Sequence, residues 1–81
     1  MKDFRRHAVE YVASLLWELT GITSISANAR YLAKVNEREG FTIDYVSQGL
    51  PDGNWLRVEG VRLSAQEMQK AVSLAKEWLK A

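Results

Sequence analysis

Residues 22–40 read ITSISANARYLAKVNEREG, and whether this stretch is strand or helix decides the architecture. Ile25, Ala27, Ala29, Tyr31, Ala33 and Val35 alternate with Ser26, Asn28, Arg30, Leu32, Lys34 and Asn36, a period of two that suits an extended strand. Against this, Ala, Leu, Lys, Arg and Glu are helix formers, and Ser26 is placed to cap a helix ending at Gly40. The residues downstream tip the reading towards strand. Phe41, Ile43 and Tyr45 alternate with Thr42, Asp44 and Val46, which is a strand signal. Glu37-Arg38-Glu39-Gly40 makes a workable hairpin loop, because Gly40 tolerates positive φ. The sequence therefore predicts a strand at about 29–36, with Tyr31, Ala33 and Val35 facing Phe41, Ile43 and Tyr45 across a hairpin.

Beyond that hairpin, Leu50-Pro51-Asp52-Gly53-Asn54 is a turn: Pro51 presets φ, Asp52 can bond its own backbone and Gly53 accepts the left-handed region. Trp55 to Val61 then reads as a third strand, with Leu56 and Val58 on one face and Trp55, Arg57 and Glu59 on the other. Ser64-Ala65-Gln66-Glu67 is a capping box. Met68, Ala71, Val72, Ala75, Trp78 and Leu79 follow at helical spacing, so a helix runs to Ala81 with Trp78 on its buried stripe. Upstream, residues 3–20 form another helix. Phe4, Ala8, Tyr11, Val12, Leu15, Leu16 and Leu19 lie on one side, with Asp3 as N-cap and Gly21 as stop. The expected fold is α+β: helix, three-stranded antiparallel sheet, helix, with both helices packed on one face of the sheet and the other face open.

The 81 residues are expected to form one domain, 1–81. At this size a chain buries roughly 60% of its unfolded surface, and the 47% apolar content with three Trp suffices for a core. The absence of cysteine removes disulfides, thiolate zinc sites and a cysteine nucleophile together. No apolar run approaches the length of a membrane span, and no secretory h-region follows Met1, so a cytoplasmic location is expected. Eleven basic and ten acidic residues nearly cancel, which argues against a dedicated non-specific nucleic-acid binder while leaving room for a local basic patch.

No constellation carries chemistry. His7 is the only histidine, falls on the polar side of the first helix near Glu10 and Ser14, and is expected to be solvated. Asp44 is expected on the outer sheet face between Lys34 and Arg57 as a cross-strand ion pair rather than a general acid or base. The glycines form neither a P-loop nor GxGxxG. Arg5 and Arg6, with Lys2, make a small basic end where the helix dipole disfavours cations, usually a solvated terminus. No catalytic residue, metal ligand or cofactor is expected.

Two tryptophans are more informative. Trp17 falls with Arg6, Glu10 and Ala13, opposite the apolar stripe, and an exposed Trp is a frequent interface anchor. Trp55 lies on the expected open face with Leu32, Val46, Arg30, Lys34 and Arg57, a mixture of aromatic, aliphatic and arginine that protein interfaces use and that can also stack a nucleobase. The structural alternatives are that Trp17 tucks against the segment after Gly21, and that Trp55 covers its own sheet under the stems of Arg57 and Lys34.

The helix–three strands–helix order resembles the double-stranded-RNA-binding domain in layout. In place of that family's lysine cluster at the start of the last helix, this chain has Ser64-Ala65-Gln66-Glu67-Met68-Gln69-Lys70. Leu16-Trp17-Glu18-Leu19-Thr20-Gly21-Ile22 followed by Ala29-Arg30-Tyr31-Leu32 looks like a helix-turn-helix. It departs in its bulky Trp17 and in a spacing about two residues too long. A helical 26–39 would favour this second resemblance, with 41–61 as a wing.

The expected function is that of a small non-enzymatic protein-binding module: an accessory subunit, an occluding inhibitor of a larger assembly, or a homodimer. A phage or mobile element is one natural setting. Its expected contact residues are Trp17, Trp55, Arg57, Leu32 and Lys34, and its partner another protein or a second copy. The alternative is a nucleic-acid-binding domain using Arg30, Lys34, Arg57 and Trp55, or a recognition helix.

Overall fold

The computed structural model describes residues 4–46 and 55–80. Their order is α1 (Phe4–Leu19), α2 (Ile25–Arg38), β1 (Phe41–Val46), β2 (Trp55–Val61) and α3 (Ala65–Lys80). The fold is α+β, with helices packed on a sheet of two antiparallel strands among the described residues. The expected strands at 41–46 and 55–61 are present. The expected strand at 29–36 is not: that stretch is the body of α2. Asp3, the turn at 50–54 and Ala81 lie outside the described residues.

The correction has a local cause. Ser24, not Ser26, is the N-cap of α2; its backbone is extended and its hydroxyl accepts from the Ala27 N–H at 3.2 Å. The inward face of α2 is Ile25, Asn28, Ala29, Leu32, Val35 and Asn36, a 3–4 spacing in which the two asparagines interrupt the apolar signal. Both are satisfied polar groups. The Asn28 side chain donates to Thr23 O at 3.5 Å, and the Asn36 side chain forms two hydrogen bonds with the Leu63 backbone. Tyr31, Ala33 and Lys34 point outward instead of pairing with β1.

In the sheet, Phe41 pairs with Val61, Ile43 with Val58, Asp44 with Arg57 and Tyr45 with Leu56. Two steps along β1 from Phe41 to Ile43 match three along β2, so β2 carries an extra residue there. Gly60, at φ +71°, supplies the left-handed conformation of this bulge. Gly40, at φ +72°, lies directly against it. A Cβ on Gly40 would stand 2.7 Å from Gly60 C and 2.9 Å from Gly60 O. Phe41 and Ile43 turn into the core, Val58 lies half-buried beside them, and Thr42, Asp44, Arg57 and Glu59 face outward. Phe4 and His7 of α1 clamp β1 from its inner side, each with its ring edge-on to Tyr45, and His7 Nε2–H donates to Asp44 O at 2.8 Å. His7 is thus half-buried and structural, not simply solvated.

The core is built around α1. Ala8, Val9, Val12, Ala13 and Leu16 are buried, a wider arc than the expected stripe, because α3 packs on one flank while α2 and the sheet pack on the other. Ala13, expected on the polar side, is fully buried for this reason. On α3 the buried residues are Ala71 and Ala75, and small side chains on both helices let the backbones approach closely.

The segment between β2 and α3 fixes these helices. The Ser64 hydroxyl accepts from Glu67 N–H at 3.2 Å and Glu67 Oε1 accepts from Ser64 N–H at 2.9 Å, the expected capping box. Arg5 reaches across from α1, donating through Nε to Glu67 Oε2 at 3.0 Å, through Nη2 to Glu67 Oε1, and through Nη2 to Arg62 O at 2.8 Å. Asn36 accepts from Leu63 N–H at 2.7 Å and donates to Leu63 O at 2.9 Å. Arg62 in turn donates to Arg38 O at 3.2 Å. Arg5 joins the first turns of α1 and α3, and the two helices share a long buried seam, so they run parallel. Arg5 and Arg6, expected to be a solvated basic end, are both paired; Arg6 binds Glu10 one turn along.

Two outcomes follow from this geometry. Gly40→Ala is expected to cost about 3 kcal/mol, combining the left-handed φ with a backbone clash. Gly21→Ala, where the new Cβ meets only Glu18 O at 3.7 Å, should stay within about 1 kcal/mol of wild type. Urea unfolding of both variants distinguishes them, and equal losses would contradict the close Gly40–Gly60 approach.

Candidate docking surface

Among the described residues, Arg5 and Glu67 have displaced protonation equilibria. Hydrogen bonds from Arg5 hold the Glu67 carboxyl below its ordinary value of 4.5, helped by the Ser64 backbone bond and the Arg5 charge, while partial burial works the other way. The bonds to Glu67 raise Arg5 in return. Both groups are engaged in holding α1 to α3. The shallow groove above them, between Arg6, Val9 and Glu10 of α1 and Lys70, Leu74 and Glu77 of α3, is floored by this pair and rimmed by the Arg6–Glu10 pair. Among the described residues no three His, Cys, Asp or Glu side chains converge on a metal position, and no helix is long and apolar enough to cross a membrane.

The expected contact residues do not share a face. Leu32 is 4% exposed and belongs to the core, so it has no surface to offer a partner. Arg30 and Lys34 stand on the outer side of α2, not on the sheet. Arg57 is on the outer sheet face as expected, opposite Asp44, and pairs with Glu59 at 3.6 Å. Lys34 does not flank Asp44, since α2 replaces the strand that would have carried it. Trp55 opens β2 opposite Val46; the side chains of both lie outside the described part of the structure. Arg30 and Lys34 therefore share no surface with Arg57, and the described outer sheet face carries two acids, Asp44 and Glu59, to one base, Arg57.

Of the two placements the sequence allows for Trp17, the structure has the exposed one. It is 48% exposed on the last turn of α1. The turn after it closes on backbone and on Thr20: Thr20 N–H and Oγ1–H both donate to Leu16 O, and Ile22 and Thr23 N–H to Leu19 O. This capping satisfies the helix end without covering the tryptophan, and it leaves Ile22 86% exposed. Because α1 and α3 are parallel, the C-terminal turn of α3 reaches the same end of the molecule. There Trp78 and Leu79, expected in the core, are 37% and 46% exposed. They continue the stripe of Ala71 and Ala75, but α3 extends past the elements that bury it. Trp17, Ile22, Trp78 and Leu79 are thus exposed apolar side chains in or just after the last turns of α1 and α3, and Glu18 and Lys80 of the same turns are exposed too. Sequence reasoning missed Ile22 and Leu79. An isoleucine immediately after a helix-stopping glycine was the signal for the first.

No protein-family model, curated protein or solved structure matches this chain, so its function is argued from its own residues.

The Arg5–Glu67 linkage has a definite sign. The folded-state value of Glu67 is lowered, so its contribution is present above about pH 4.5 and is lost as pH falls through the lowered value. Glu67→Gln should destabilise the protein at pH 7 and flatten the stability profile below pH ~4.5. Urea midpoints at pH 7 and pH 3 measure this, and parallel profiles for variant and wild type would contradict the pairing.

Proposed function

We propose that this chain is a small non-enzymatic binding module that docks onto a protein partner through the apolar end formed by α1 and α3. The observation that carries the reading is the exposure of four large apolar side chains, Trp17, Ile22, Trp78 and Leu79, in or just after the last turns of two helices joined at their first turns. Large side chains standing exposed together, rather than singly, are characteristic of interaction sites. Tryptophan is also the side chain most enriched among residues that dominate binding energy. The flanking Glu18 and Lys80 supply a polar rim of both signs.

Such a module acts as an accessory subunit or by occluding a surface of a larger assembly, and the site in the sequence that matters most is Trp17. Ile22→Glu places a charge where the side chain is already solvated, so folding should change by less than about 1 kcal/mol. Trp17→Ala should weaken the complex at least tenfold, about 1.4 kcal/mol or more. The check is nuclease-treated capture with tagged wild type, Trp17→Ala, Ile22→Glu and a Thr42→Ala control. A stoichiometric protein should be kept by wild type and control and lost by the other two. Retention by all four would overturn the reading. Sedimentation of the same set detects a second copy as the partner, through a dimer lost in the same two variants.

A further inference from the structure

We propose that the outward face of α2 is a binding surface for double-stranded DNA, separate from the apolar end and independent of it. Arg30, Lys34 and Arg38 recur every four residues and all three are exposed. None forms an ion pair among the described residues, whereas Arg5, Arg6 and Arg57 each do. The fold adds a fourth cation: the Arg62 guanidinium sits on the last turn of α2, bonded to Arg38 O at 3.2 Å. The acids of this region are Glu37 and Glu39, so the patch keeps an excess of two positive charges in a chain whose overall charge is +1.

The spacing selects the partner. Four residues advance a helix by about 6 Å, so the three cations span about 12 Å along one line. A DNA strand presents a phosphate every ~3.4 Å of axis, so each cation has one within reach. Acidic proteins offer no such fixed repeat. A membrane surface would need an apolar stripe beside the cations; this face instead carries Ser26, Ala27 and Ala33, with Tyr31 at 61% exposure on its edge. Those small residues allow close approach to a groove. The major groove of B-form DNA, ~12 Å wide, admits a helix, whereas that of duplex RNA is too narrow for one.

The experiment is fluorescence anisotropy of a labelled 20-base-pair DNA duplex against wild type, an α2 triple variant (Arg30→Ala, Lys34→Ala, Arg38→Ala) and an equally charged control (Arg57→Ala on β2 with Lys70→Ala and Lys76→Ala on α3). Circular dichroism melts establish that each is folded, and Arg30→Lys with Arg38→Lys tests rescue by charge. Wild type should bind with a log–log salt slope of about −3 to −4, from some three or four neutralised phosphates. The α2 triple should lose at least tenfold, while the control stays within twofold and the lysine variant retains binding. Absent binding at 50 mM salt, equal loss in both triples, or equal affinity for polyglutamate or duplex RNA would overturn the proposal. None of these results bears on capture through Trp17 and Ile22.

Discussion

Arg62, Leu63 and Ser64 form no regular secondary structure, yet every helix is positioned by them. Their backbone groups would be costly to leave unsatisfied beside a buried Leu63 side chain. Each of the three helices supplies part of the solution. Arg5 of α1 takes the Arg62 carbonyl, Asn36 of α2 pairs with both the N–H and the carbonyl of Leu63, and Glu67 of α3 closes the cap on Ser64. The Asn36 amide serves here as a strand neighbour would, with one donor and one acceptor in the same plane. The start of α1, the end of α2 and the start of α3 are thereby brought to one point.

That point has consequences for the surface. With their first turns joined, α1 and α3 lie parallel, and the alanines along the seam let them pack closely. Two helices of similar length then finish at the same end, where nothing in the described structure crosses them. The apolar residues of their last turns, Trp17, Trp78 and Leu79, stay accessible together with Ile22. Meanwhile α2 spends its inner face on α1, α3 and the junction. Its outer face keeps cations that form no ion pair among the described residues. Two chemically different surfaces thus arise from one packing arrangement.

Much of this was legible in the sequence where a single physical rule governed. The Ser64–Glu67 capping box, the apolar periodicity of α1 and α3, and the alternation over 41–46 and 55–61 each reads directly as structure. α2 was not legible, because its inward stripe contains Asn28 and Asn36. Polar residues at buried positions erase helical periodicity, and the remaining alternation of Ile25, Ala27, Ala29, Tyr31, Ala33 and Val35 mimics a strand. The partner that makes Asn36 acceptable is Leu63, 27 residues away, which no local pattern reveals. The same misreading dispersed the candidate site: Leu32, Lys34 and Arg30 were grouped with Arg57 on a sheet face that α2 never joins. Trp17 survived because its position depends only on the α1 wheel. Trp78 was misplaced because a wheel shows direction but not how far the packing partner extends.

Native-state hydrogen exchange at the Leu63 amide tests the junction most directly. That N–H belongs to no helix or strand, and among the described residues it donates to the side-chain Oδ1 of Asn36 at 2.7 Å. Exchange as slow as the best-protected amides of α1, with an opening free energy equal to that of global unfolding, is the predicted result. Exchange close to the rate of an unstructured peptide, while α1 and α3 remain protected, would contradict the claim that this segment holds the helices together.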